Sequence, residues 1–241
     1  MGSQRIARIF GLLYLITFLT SIPALILFQP VLDDPAGYVA NGGSDNRIFF
    51  GAFLELILIV ANIGTALVIY PIVKRQNHII ALGYVGARIV ESTFILVGIL
   101  AVLSIVTLSQ QNAGGDEGAI AYTLAALKDW TFLLGPGFIV GIGNGLMLAY
   151  LMYASGLMPR PLAVLGLIGG PLIIISGVLV MFGVGDLHGP LQGLATIPEA
   201  VWELSLGIYP LIWGFRRVPI LDAYDREVGA RVKGTPAAVP V

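Results

Sequence analysis

Arg88 and Glu91 stand three residues apart inside an apolar run, IIALGYVGARIVESTFILVGIL, that occupies residues 79–100. On a helix that spacing puts both side chains on one face, where a guanidinium and a carboxylate can pair. A run of this length and apolarity crosses a bilayer, and an ionisable group at membrane depth is costly enough to mark a functional site. Two more carboxylates, Glu55 and Glu203, lie well inside other apolar runs. With a rise of about 1.5 Å per residue and a hydrocarbon core of about 30 Å, Glu55, Glu91 and Glu203 fall at one depth. Arg88 falls lower on the same count, and Asn62 and Asn144 lie beneath it. Three carboxylates against one arginine leave an excess of acid, the chemistry of a site for a cation, a proton or an amine-bearing solute. A plainer reading stays open, in which Arg88 neutralises Glu91 and the polar set only locks a bundle.

A hydrolytic reading needs a metal or a nucleophile. His188 and Asp186 share one polar stretch, and Glu199 stands one turn from Glu203. His188, Glu199 and Glu203 are therefore a weak candidate for a metal site. The chain has only two His and no H-E-x-x-H pair. Ser155-Gly156 falls in a cytoplasmic turn without a buried His nearby, so a serine-hydrolase arrangement is unsupported. GIGNG at 141–145 and GLIGG at 166–170 follow no strand and are not phosphate loops. They are small-residue surfaces that let two helices approach closely. No cofactor is expected.

The elements that must position these residues are set by composition. The 241 residues are 57% hydrophobic and 11% charged, with mean hydropathy +0.90. Ordinary soluble domains carry about 25% charged residues. A water-soluble chain of this size could not hide so much apolar surface, so the lipid bilayer is its solvent and first partner. A net charge of −1 excludes a general nucleic-acid role. The absence of Cys excludes disulfides, thiolate metal sites and cysteine nucleophiles.

The expected fold is all-α: a polytopic transmembrane bundle of six helices over 6–28, 47–73, 79–108, 122–153, 162–184 and 197–216. These form one domain, 1–217, followed by a flexible cytoplasmic tail over 218–241. Arg5 and Arg8 before the first run would suit a signal peptide, but the run is too long and no A-x-A-like site follows. Polar loops are expected over 29–46, 110–118 and 185–193. Of the 13 Lys and Arg, all but Arg47, Lys128 and the intramembrane Arg88 fall on one side. That asymmetry places both termini in the cytoplasm of a multi-pass protein of the inner or plasma membrane. Lys128 and Asp129, beside Trp130, read as rim residues. Trp130 and Trp202 read as anchors at the outer interface and Trp213 at the inner one.

Several runs resemble a bacterial membrane family known only as domain of unknown function 4386. They are ARIFGLLYL, ALVIYPIVKRQN, ALGYVGARIVES, GPGFIVGIGNGLMLAYLMYASGLMPRPLAVLGLIGGPL and WELSLGIYPLIWGF, and they cover nearly the whole chain in order. The resemblance implies an integral membrane protein of about six helices without an established activity. Arg88, Glu91 and Glu203 sit on the family-like runs, whereas Asp is as usual as Glu at the position of Glu55. The leading expectation is a protein that handles a small cationic solute or a proton. In it Glu55, Glu91 and Glu203 bind the cation, and Arg88 holds Glu91 and gates the lower half. A metal-dependent membrane hydrolase is the alternative from another class, and a structural or partner-binding subunit without a site is a third.

Overall fold

The structure is a computed structural model that describes residues 1–111 and 116–232, with backbone alone at the last two. Among the described residues all regular structure is helical, in eight helices. They are α1 (Ser3–Asp33), α2 (Pro35–Asn41), α3 (Asp45–Val73), α4 (His78–Gln111), α5 (Glu117–Ser155), α6 (Arg160–Met181), α7 (Pro190–Ile212) and α8 (Pro219–Val232). Five of these, α1, α3, α4, α5 and α6, are long and apolar enough to cross a membrane. α7 has 23 residues, but Glu199, Glu203 and three prolines dilute its apolar character.

Local chemistry sets the helix ends. Asp34 caps α2 by accepting from the Gly37 N–H at 2.9 Å, with Pro35 in the first turn. Asp116 caps α5 in the same way. α5 stops at Gly156, whose φ of 71° is a left-handed conformation that glycine adopts without strain. Within α5 the winding relaxes to π type over Leu133–Ile139 and Gly141–Leu148. Pro136 has no N–H to give the normal ladder there. Such wide turns recur at functional sites.

The long helices close into a ring in which α1 packs on α3, α3 on α4, α4 on α5, α5 on α6, α6 on α7, and α7 on α1. Two junctions run backbone to backbone. A Cβ placed on Gly11 of α1 would lie 2.5 Å from the Gly207 carbonyl oxygen of α7. The GIGNG and GLIGG surfaces meet as expected: a Cβ on Gly170 would lie 2.6 Å from the Gly141 carbonyl oxygen and 2.8 Å from the Gly145 Cα. Backbone cannot swing aside as a side chain can. Gly170→Val is therefore expected to cost about 1–3 kcal/mol through overpacking, read as a lower melting temperature in detergent.

Both described ends of the chain meet at one end of this ring. The Ser3 N–H and hydroxyl donate to the two carboxylate oxygens of Asp225 at 2.9 and 2.6 Å. The Gln4 side chain bonds the Phe215 carbonyl and N–H at 2.9 and 3.1 Å. Arg75 pairs with Glu227.

Several expectations are corrected. Residues 219–232 are not a flexible tail but a helix, α8, because Leu221, Tyr224 and Val228 recur at helical spacing and pack on the bundle. The remainder of that tail, 233–241, lies outside the described residues, as do 112–115 of the expected loop at 110–118. The stretch 29–46 is largely helical. α1 continues to Asp33, and α2 is pinned by the Tyr38 hydroxyl donating to Asp45 at 2.7 Å. Burial and that carboxylate hold the Tyr38 phenol well above its usual range. Pro190, read as loop, opens α7 from its first turn. Trp202 is no interfacial anchor, since its ring is fully buried, whereas Trp130 and Trp213 are exposed.

Candidate functional site

Four helices deliver ionisable groups to the middle of the ring. Glu55 and Asn62 lie two turns apart on α3, Arg88 and Glu91 one turn apart on α4. Lys128 comes from α5 and Glu203 from α7. With residues of α1 they surround a cavity of about 130 Å³. That is room for about four waters at roughly 30 Å³ each.

Arg88, 2% exposed, closes a ring of three hydrogen bonds. Its Nη1 donates to Glu91 Oε2 at 2.7 Å and its Nη2 to Asn62 Oδ1 at 2.7 Å. Asn62 Nδ2 then donates to Glu91 Oε1 at 2.8 Å. Both carboxylate oxygens and both ends of the amide are used, which offsets the cost of burying the two charges. The guanidinium also lies over the Tyr14 ring, 5.4 Å from its centre.

A second ion pair was not expected. Lys128 is 5% exposed and donates to both oxygens of Glu55 at 2.7 and 2.8 Å. Its ammonium stands 4.9 Å from the Phe28 ring centre. Gly98 of α4 makes room for it, since a Cβ there would come within 2.9 Å of Lys128 Cδ. The rim reading of Lys128 is thereby corrected, and with it the expected excess of three carboxylates over one cation. The missed signal was periodic: Ala121, Ala125 and Lys128 share the buried face of α5. Asp129 does face outward, with His188 3.6 Å away.

Glu203 is different. Its partner is the side-chain amide of Asn144, which donates to Oε1. No Lys, Arg or His nitrogen among the described residues reaches ion-pair distance of it. Asn144 is fixed from two further directions: its Oδ1 accepts from the Tyr14 hydroxyl at 3.1 Å, and its backbone carbonyl accepts from the Trp202 indole N–H at 3.0 Å. Tyr14 also shares a 2.9 Å hydrogen bond with Tyr84, and Tyr84 reaches Thr65 at 3.3 Å. These hydroxyls, above an apolar core that includes Ile69, Leu148 and Met152, close the cavity toward the chain ends.

Five of the six sequence-derived candidates thus line one cavity: Glu55, Asn62, Arg88, Glu91 and Glu203. Asn144 stands one hydrogen bond behind. Asn62 and Asn144 do not form a separate lower layer, because long side chains carry the polar atoms up and down by several ångströms. Tyr14, Thr65 and Tyr84 carry no sequence signal, being ordinary members of apolar helix faces, and Trp202 carries only that of an anchor.

The hydrolase set is not assembled. His188 is exposed in the α6–α7 turn, while Glu199, 1% exposed, lies against Gly145 and Gly169. Both Glu199 oxygens are buried without a hydrogen-bond partner among the described residues, and the residue lines no part of the cavity. Among the described residues no group of three or more His, Asp or Glu is placed to hold a metal ion.

The sequence profile of one family, described as "Domain of unknown function (DUF4386)", matches residues 9–214. No curated protein and no solved structure matches the chain.

Proposed function

The chain belongs to the DUF4386 family, and from that premise we propose that it is a six-span membrane protein that binds an organic ammonium group or another small cation at Glu203. Six spans count α7 with the five more apolar helices. The meeting of Ser3 with Asp225 supports this, since ends on one side require an even number of crossings. The Lys and Arg asymmetry puts those ends in the cytoplasm and the protein in the cell membrane. Reporter fusions after Gln111 and after Val241 are expected to report opposite sides. The same side for both would remove the six-span reading.

One observation carries the binding reading: Glu203 is the carboxylate of the cavity that no cation among the described residues reaches at ion-pair distance. Glu55 is matched by Lys128 and Glu91 by Arg88, so the two pairs cancel and Glu203 sets the sign of the site. A cation entering displaces water and meets a charge already held in place by Asn144. The sequence-based division of labour changes accordingly. Glu91 is saturated by Arg88 and Asn62, and it shapes the wall instead of taking the cation.

Trp202 provides the readout, because its indole bonds the same Asn144 that orients Glu203. Titration with an alkylammonium ion is expected to change Trp202 fluorescence saturably. Glu203→Gln is expected to weaken binding by roughly 10- to 100-fold, the loss of a charge-assisted contact of about 1.5–3 kcal/mol. Acid should weaken binding in the wild type, since a protonated Glu203 has no charge to offer. Binding that is unchanged in Glu203→Gln would overturn the assignment.

A further inference from the structure

The walls of the cavity say more about its occupant than its floor does. Between the Glu55–Lys128 pair, which lies farther from the chain termini, and Glu203 the α1 and α5 walls are mostly apolar, with Phe18 and Leu25 on α1 and Phe132 and Val140 on α5. α7 supplies Glu203 and nothing above it. The α1–α7 contact at Gly11 and Gly207 lies on the terminal side of Glu203, and α1 and α5 do not pack closely on one another. The cavity is walled on α1 by a slot that runs from Phe18 to Leu25, roughly 10 Å along the helix. Leu25 and Phe132 wall this slot and are also 42% and 38% exposed, so they form its mouth. Leu19, Ile22 and Ile26 are exposed beside it on α1. On a membrane-spanning helix such a face meets lipid chains, not water.

We infer that the ligand of this site is an amphiphile, an amine head seated at Glu203 with an apolar chain that leaves past Leu25 of α1 and Phe132 of α5 into the bilayer. The inference rests on the Glu203 reading and names the ligand class for it. A bare hydrated ion gains nothing from Phe18, Leu25 and Phe132, which take up much of the wall. A chain-bearing amine leaves its apolar part among those side chains and carries only its head to the carboxylate. A cavity with an open carboxylate at Glu203 and an apolar side that reaches the surface at Leu25 and Phe132 suits such a molecule.

The test uses the full chain in lipid nanodiscs and compares decylammonium with methylammonium by Trp202 fluorescence, with decanol and decyl sulfate as chain-matched controls. Decylammonium is expected to bind roughly tenfold tighter than methylammonium or better, since two buried methylene groups alone supply that factor. It should compete with methylammonium and lose its site in Glu203→Gln, whose folding is checked by melting. Methylammonium binding as tightly as decylammonium would overturn the amphiphile and leave the Glu203 reading standing. Failure of both ammonium ions would overturn the Glu203 reading and the inference with it. Decylammonium binding that survives in Glu203→Gln, or that decyl sulfate matches, would reveal partition into lipid and overturn the inference alone.

Discussion

Arg88→Met is expected to cost about 3–5 kcal/mol of stability, the loss that follows from stranding one member of a buried ion pair. The variant leaves Glu91 with the Asn62 amide alone and removes the donor to Asn62 Oδ1, so two helices lose the ring that joins them. Tyr14 loses the cation over its face as well. Removing Glu91 together with Arg88, by apolar residues of like volume, is expected to cost clearly less than either single change. Denaturation in detergent measures both. If Arg88→Met melts with the wild type, the ring does not hold the bundle.

Lys128→Met is the second large effect, and it separates a buried cation from its surface neighbour. It strands Glu55 against Phe28 and the cavity, and an unpaired buried carboxylate again implies about 3 kcal/mol or more. Glu55→Gln in the same chain is expected to return much of the loss, because the amide carries no charge to desolvate. Asp129→Asn, one residue along but on the outer surface, is expected to stay within about 0.5 kcal/mol of the wild type. Equal effects at Lys128 and Asp129 would return Lys128 to the rim.

The contrast between these two pairs also shows what can be read from a linear chain. Arg88 and Glu91 are three residues apart on one helix, so their pairing follows from helical geometry alone. Charges in apolar runs also announce themselves, which is why Glu55, Glu91 and Glu203 could be placed at one depth. Lys128 could not be placed so. α5 runs 39 residues, longer than a bilayer is thick, so counting from its start misjudges which turn enters the bundle. The π-wound stretches shift its register further. Asn62 meets Arg88 across 26 residues of sequence and Asn144 meets Glu203 across 59, distances that only tertiary packing sets. α8 was lost for another reason: its charges outweighed the apolar spacing of Leu221, Tyr224 and Val228.

The central claim is that Glu203 takes the positive charge of the ligand, and infrared difference spectroscopy of the carboxyl bands tests it most directly. Adding an alkylammonium ion to the wild type is expected to produce one carboxyl difference band, and Glu203→Gln is expected to lack it. The same band in Glu203→Gln, or ammonium bound with no carboxyl responding, would contradict the account.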